Sequence, residues 1–467
     1  MDPFTPATEV AAAIRRRDVS PVEVLDRCLA EVDRLDPVCN AVIWRNDEAA
    51  RAEARRVADA VVAGDELPPF AGVPLPIKDL THVAGWPVTY GSFAGPEGTS
   101  QDEELVVTNL RRAGFLLTGR TNAPELGPLP VTENTRYGIT RNPWDPDRSP
   151  GGSSGGAAAA VAAGMFPLAH GNDGAGSIRI PAACTGLVGL KVNRGRVPAE
   201  VVGWLGSSVE GVLTRTVADT AAVLDVIAPV DRLAWYHVPP PDAPFATAPG
   251  ADPGRLRVGL LTRAPLDLPV HAGARDAVAR AGAVLERLGH DVAPVDLELV
   301  PPGVLEPFLH VVGAGLGDHP DVDFSKVEPH NAATYLSARQ VDSITLVQSM
   351  AALQRLARDI VWRWGRDFDL LVTPTCASPP PPAGAVLSLV HTEPAVLPTE
   401  VLSLVVFTAP FNVTGQPAVS LPLHESGGLP VGVQLVGGPW EEGLLLAVAA
   451  QVEEADPWRE RRPPAVG

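Results

Sequence analysis

Only four cysteines occur in 467 residues, Cys28, Cys39, Cys184 and Cys376, and no two stand at C-x-x-C spacing. That excludes a dithiol redox motif or a zinc knuckle and points to reduced thiols rather than a disulfide framework. Basic charge is scarce as well. The 37 Lys and Arg are outnumbered by 55 Asp and Glu, for a formal charge of −18. Such a surface repels phosphate backbones and anionic lipid heads, and the arginines form no stripe, so no nucleic-acid partner is expected. No run of about 18 apolar residues is present to span a membrane, and the Ala-rich stretch from Ala157 to Ala169 is broken by Pro167. The opening Met1-Asp2-Pro3-Phe4 has neither a basic nor an apolar leader pattern, so a soluble, cytoplasmic protein without membrane contact is expected. There is no Walker A and no H-E-x-x-H motif, and Gly174-x-Gly176 is followed by Arg179 where a dinucleotide fingerprint needs its third glycine.

What is there reads as alternating helices and strands. Ser20-Pro21-Val22-Glu23 is a capping box with proline at the first helical position, and Val24, Leu25, Cys28, Leu29 and Val32 follow at helical spacing up to Asp36-Pro37. A second helix is predicted from about Glu48 to Ala63. An apolar run, Val73 to Ile77, leads into Lys78, and Phe115 to Gly119 has the character of a buried strand. The tract from Asn122 to Gly156 is rich in Gly, Pro, Ser and Asn, a length of loop that is usually functional. After a Pro/Ala-rich connector, Tyr236 to Gly254, a β-α-β unit is predicted: Leu256–Leu261, Ala272–Leu288 and Asp291–Leu297. Strands are also predicted near Leu402 to Phe407 and Gly432 to Val436. The pattern indicates an α/β fold. One domain, 1–467, is expected, with a core at about 65–220 and an inserted or peripheral region at about 236–400.

Three separate features carry chemistry. Ser149-Pro150-Gly151-Gly152-Ser153-Ser154-Gly155-Gly156 crowds glycines around two serines and runs straight into a helix-forming alanine run, which a flexible linker would not do. Gly171-Asn172-Asp173-Gly174-Ala175-Gly176-Ser177 places small residues before a serine, so that successive N–H groups can converge where an oxyanion would form. The third feature is Lys78. Of the 37 basic residues only three are lysine, Lys78, Lys191 and Lys326. Arg cannot lose its proton in a protein, whereas a lysine desolvated behind an apolar run can act as a base. A nucleophile, a base and an anion site are the minimum for acyl transfer.

These blocks resemble the amidase-signature family. The similarity continues through Pro76-Ile77-Lys78-Asp79, Gly119-Arg120-Thr121-Asn122-Ala123-Pro124-Glu125, Asn142-Pro143-Trp144, Pro410-Phe411-Asn412-Val413-Thr414-Gly415-Gln416-Pro417-Ala418 and Gly432-Val433-Gln434-Leu435-Val436. Within the family the chain looks most like the branch of 6-aminohexanoate cyclic dimer hydrolase and the urethane-cleaving amidases. It departs at Ala175, where the family usually has Gly. The resemblance implies an amidase-signature fold, a large mixed twisted β-sheet covered by helices on both faces. It implies Ser177 as nucleophile, and Ser153, after a cis Gly152–Ser153 peptide, as proton relay to neutral Lys78. Ser154 and Asp173 would support the loops, Asp173 pairing with Arg179, and the N–H groups of Gly174, Ala175, Gly176 and Ser177 would form the oxyanion hole. No metal or organic cofactor is implied. The substrate would be a small amide or carbamate, and the protein a monomer or homodimer.

Gly151-x-Ser153-x-Gly155 also matches a nucleophile elbow, which would make Ser153 the nucleophile of an esterase relying on His391 or His424. The elbow needs a strand before it, and Asn142 to Pro150 holds three prolines instead. A partner-dependent amidotransferase subunit and a non-enzymatic scaffold are further readings. Pocket candidates are Tyr90, Tyr137, Arg196, Trp204, Leu205, Phe407 and Trp440, which together favour an uncharged aryl or alkyl amide or carbamate over an acidic substrate.

Overall fold

The computed structural model describes residues 1–464. Its first long helix, Pro21–Cys39, begins at the predicted capping box. Ser20 Oγ accepts from the Val22 N–H at 3.2 Å and Glu23 Oε2 accepts from the Ser20 N–H at 2.8 Å. The helix does not stop at Asp36-Pro37 but includes Pro37 and ends in left-handed Asn40. A proline in the last turn removes a single backbone donor, and the Asp36 carboxylate binds the N–H groups of Ala41 (2.6 Å) and Val42 (3.1 Å) beyond it. The helix Asp47–Ala63 follows the predicted span.

A small sheet forms from β1 (Val42–Arg45), β2 (Pro74–Lys78) and β3 (Leu116–Thr121), in the order β1-β3-β2 with β2 and β3 parallel. The long loop after it contains only a two-residue hairpin, β4 (Glu133–Asn134) and β5 (Gly138–Ile139).

The main sheet has eight strands: β6 (Ala169–Asp173), β7 (Val188–Lys191), β8 (Val209–Thr214), β9 (Arg257–Leu260), β10 (Asp291–Pro294), β11 (Leu370–Pro374), β12 (Ala418–Ser426) and β13 (Leu429–Val436). Their order is β10-β9-β11-β13-β12-β7-β8-β6, parallel from β10 to β11 and antiparallel from there on. The predicted β-α-β unit is β9, the helix Ala272–Arg287 and β10. Its strands extend the main sheet, so the stretch expected to be inserted or peripheral supplies β9, β10 and β11.

Alternation along the strands divides the core. Leu370, Val372, Val419, Leu421, Val433 and Leu435 pack with the helices Val217–Ile227, Ala272–Arg287 and Glu442–Ala455. Leu371, Ala418 and Val436 point the other way, against Phe407, Phe411 and Leu356. Both faces are thus covered by helices, as a sheet with two apolar faces requires. One predicted strand is a helix: Leu402 to Phe407 lies largely within Thr399–Val405. A short apolar run fits either element, and here Pro398 sits at the N-cap while Val401 and Leu404, one helical turn apart, are both buried.

Candidate active site

β2 of the small sheet packs beside β6 at the edge of the main sheet, and the ends of these two strands carry the polar residues. Lys78 is the last residue of β2 and is fully buried. Its Nζ donates to Ser153 Oγ at 2.7 Å and to Asn172 Oδ1 at 2.6 Å. Burial pushes the amine down to about 7, against the opposing pull of the Glu210 and Asp173 carboxylates. Lys191 is buried too, its Nζ donating to the Val192 carbonyl at 2.8 Å, but it does not line the cavity described below.

Ser153 lies in the turn before the helix Gly155–Ala162, and Gly152–Ser153 is a cis peptide. The turn runs tightly against another segment, so that a Cβ at Gly152 would stand 2.6 Å from the Val131 carbonyl oxygen. Ser177 precedes the helix Arg179–Thr185. The Ser154 N–H donates to the Ser177 carbonyl at 3.2 Å and Ser154 Oγ to the Asn172 carbonyl at 3.3 Å, tying the two serine loops together.

Asp173 organises the loop from below. Arg179 grips it with Nε to Oδ2 and Nη2 to Oδ1, both 2.9 Å, and neither side chain is exposed. Burial opposes the charged carboxylate, but the Arg179 guanidinium outweighs it and holds the group well below the usual carboxylate range. Asp173 also accepts the N–H of Gly176 at 2.7 Å and of Ile178 at 3.2 Å. Gly176 is therefore not one of the free donors expected at the oxyanion position. Among the described residues the N–H groups of Gly174, Ala175 and Ser177 have no acceptor. Gly176 instead supplies a φ of +130°, and a Cβ there would fall inside the Thr408 hydroxyl.

Asn412 and Gln434 stood in quoted sequence motifs without a predicted role, and Thr408 lay outside every quoted motif. Asn412 Nδ2 donates to the Asp173 carbonyl and to Oδ1, both at 2.9 Å, while its Oδ1 accepts from Arg179 Nη2 at 2.6 Å. Gln434 Oε1 accepts from Arg179 Nη1 at 2.6 Å. Thr408 Oγ1 donates to the Ala175 carbonyl at 2.7 Å. The C-terminal motifs thus clamp the Ser177 loop from more than 200 residues away, a placement that no local pattern encodes.

Ser153 and Ser177 both line a cavity of about 360 Å³. Tyr90 and Trp204 line it too. Tyr90 OH is 2.8 Å from His82 Nε2, and its ring lies 4.6 Å from that of His319. The other pocket candidates fall elsewhere. Phe407 is core, Arg196 forks onto buried Glu442 at 3.2 Å, and Trp440 is 54% exposed. Tyr137 packs under the Arg136 guanidinium, and Leu205, exposed, is not among the residues lining the cavity that its neighbour Trp204 lines. Residue type marked these positions, but strand register and side of the sheet decide which space a side chain enters. What the lining adds is carboxyl groups: Asp102, Glu103, Glu104, Glu200, Glu210 and Asp318 contribute, and no Lys or Arg does. Glu104, which accepts the His82 N–H at 2.8 Å, is pushed up by burial and then by Glu210. Neither His391 nor His424 lines the cavity.

A buried lysine against a serine, a second serine at a helix start and free N–H groups beside it, on an α/β scaffold, are the kinds of group that acyl transfer requires. The chain belongs to the amidase family, whose model matches residues 23–446. It is 42% identical over 453 residues to AmiB2 of Mycobacterium tuberculosis, a proposed amidase, with 94% of each chain covered. It is 36% identical over 492 residues to 6-aminohexanoate-cyclic-dimer hydrolase of Pseudomonas sp., covering 99% of this chain and 97% of that one. Among solved structures, 6-aminohexanoate cyclic dimer hydrolase complexed with substrate superposes with a TM-score of 0.93 at 34% identity over the whole of both chains. A bacterial aryl acylamidase of the amidase-signature family gives 0.86 at 27% identity, covering 97% of each. The protein is an amidase, a hydrolase of amide C–N bonds. Among the described residues no helix is long and apolar enough to cross a membrane.

Proposed function

We propose that the chain hydrolyses a small uncharged aryl or alkyl amide through a Lys78–Ser153–Ser177 triad and an acyl-enzyme. The observation that carries this reading is the 2.7 Å hydrogen bond from Lys78 Nζ to Ser153 Oγ in a fully buried setting. A neutral Lys78 takes the Ser153 proton while Ser153 takes that of Ser177, whose Oγ attacks the carbonyl carbon. The N–H groups of Gly174, Ala175 and Ser177 receive the negative oxygen. The relay then runs in reverse. Ser153 gives its proton to the leaving nitrogen, the C–N bond breaks, and the amine departs. Water, deprotonated through the same relay, attacks the acyl-Ser177 ester and frees the acid. A carbamate would leave a carbonate ester on Ser177, hydrolysed to CO2 and an alcohol.

The acidic lining supports a neutral or amine-bearing substrate and disfavours an anionic one, since like charges in a half-enclosed cavity repel. The substrates that two relatives are named for, a 6-aminohexanoate cyclic dimer and an aryl acylamide, are compatible with such a cavity. Because one chain supplies every group in the proposed cycle, a cytoplasmic monomer or homodimer suffices without an amidotransferase partner.

The test is mass spectrometry of the protein after a fluorophosphonate, paired with chromophore release from a neutral anilide. One adduct on Ser177, lost in Ser177→Ala, with release of chromophore is the expected result. An adduct on Ser153 that survives Ser177→Ala would overturn the assignment.

A further inference from the structure

The helix Pro329–Ala338 and the helix Ala385–Thr392 meet at a cluster that the amide chemistry does not use. Glu328 is the N-cap of the first helix, His330 lies in its first turn, and His391 stands in the last turn of the second. Glu328 and His330 are buried, with 4% and 6% exposed, and the His391 side chain is 27% exposed. His391 Nε2 is 3.4 Å from Glu328 Oε2, His330 Nδ1 is 3.8 Å from the same oxygen, and one ligand atom from each residue lies within 4.8 Å of the others.

All of these atoms lack a partner. Glu328 Oε2, both ring nitrogens of His330 and Nε2 of His391 make no hydrogen bond among the described residues. Buried polar atoms are paired in nearly all folded proteins, so three residues that each turn an unpaired atom toward one point need an explanation. The surrounding carboxylates, by contrast, are engaged, although Asn331 Oδ1 is not. Glu328 Oε1 accepts the Thr135 N–H at 2.6 Å and Thr135 Oγ1 at 3.0 Å, which fixes the carboxylate with its other oxygen turned to the histidines. Glu125 Oε2 binds the Glu328 N–H at 2.6 Å and Asn331 Nδ2 at 2.8 Å, and Glu133 binds the Gly384 and Leu387 N–H groups at 2.8 and 3.0 Å. Both helix starts are therefore braced while the groups between them are left open. Outer partners that orient ligands whose own atoms stay free are the usual setting of a metal site.

We propose that Glu328, His330 and His391 form a structural site for one borderline divalent cation, zinc by preference, that staples the two helices together. Two imidazoles and one carboxylate suit Zn2+ rather than Mg2+ or Ca2+, which take oxygen ligands. At metal–ligand distances of about 2.0–2.2 Å, tetrahedral ligands stand roughly 3.3–3.6 Å apart, so the cluster closes on an ion with small side-chain shifts. Water reaches the fourth position from the exposed side of His391. None of the three residues lines the cavity of Ser177, so the ion takes no part in amide hydrolysis and this inference is independent of the triad.

The test uses the full chain, stripped with a chelator and dialysed, then titrated with Zn2+ and separately with Co2+. The expected result is one zinc per chain by elemental analysis and calorimetry, a rise in Tm on binding, and the visible bands of tetrahedral Co2+. His391→Gln and His330→Ala should each weaken zinc binding at least ~10-fold and abolish the cobalt bands, while His391→Gln leaves anilide turnover unchanged. His391→Gln keeps the test sound if His330→Ala does not fold, because its side chain is partly exposed. Failure of the stripped wild-type chain to take up zinc, or equal uptake by His391→Gln, would overturn the site.

Discussion

Lys78 Nζ donates to Asn172 Oδ1 at 2.6 Å, so the buried amine is held by a neutral amide and not by a carboxylate. An amide orients the amine without strongly favouring its charged form, and burial then pushes Lys78 down to about 7. As the proposed base, Lys78 is competent only when neutral, which sets the sign. The kcat/KM for a neutral anilide should rise as pH increases through about 7, as Lys78 loses its proton. A profile level on both sides of neutrality would remove Lys78 as the base. Lys78→Arg should be inactive and folded, because Arg cannot accept the proton.

Replacing Asn172 with Asp places a full negative charge on that hydrogen bond. An adjacent opposite charge favours the ammonium, so the rising limb in Asn172→Asp should move up by about one to three pH units. Asn172→Ala should lower kcat through loss of orientation without an upward shift of that size. Identical profiles for Asn172→Asp and the parent would exclude this residue from positioning the base.

Arg179→Ala leaves the Asp173 carboxylate buried with its main counter-charge gone. Breaking such a pair from one side costs about 3–5 kcal/mol, which denaturant unfolding at neutral pH should read directly. Asp173 has its folded-state value depressed, so its contribution is complete above the ordinary carboxylate value and is lost as pH falls through the folded one. The stability gap between parent and variant should therefore narrow in acid. A gap that widens in acid would contradict this origin.

Gly176→Ala forces a Cβ into the Thr408 hydroxyl at a φ of +130°. Displacing the loop by that route moves the Ser177 N–H and Oγ together. We expect kcat to fall by roughly 10²–10³, the loss typical of one oxyanion donor, with KM much less affected. Thr408→Gly beside it should recover part of the rate by opening the space. Near-parental turnover in Gly176→Ala would show that the loop tolerates the shift.

Much of this molecule was legible in its residues. The capping box at Ser20, the helix near Asp47–Ala63, the unit of β9, β10 and the helix between them, and the strand near Phe115–Gly119 all follow from local period and turn chemistry. The scarcity of lysine singled out Lys78, and glycine crowding marked the loops of Ser153 and Ser177, because special backbone conformations demand special residues. The helix at Thr399–Val405 was not legible, since a short apolar run suits both elements.

The cavity was least legible of all. Chemistry and local conformation are carried by neighbouring residues, so the sequence by itself determined the proposed reactive groups and the elements that bear them. Only the tertiary structure decided that β2 packs beside β6, bringing Lys78 to Asn172, and that β8 lies against β6, bringing Glu210 to the same space as Glu104. It also turned Phe407 and Arg196 away into the core and committed the Gly176 N–H to Asp173. Such meetings depend on strand order and register between segments far apart in the chain, and burial then sets the charge of what meets there.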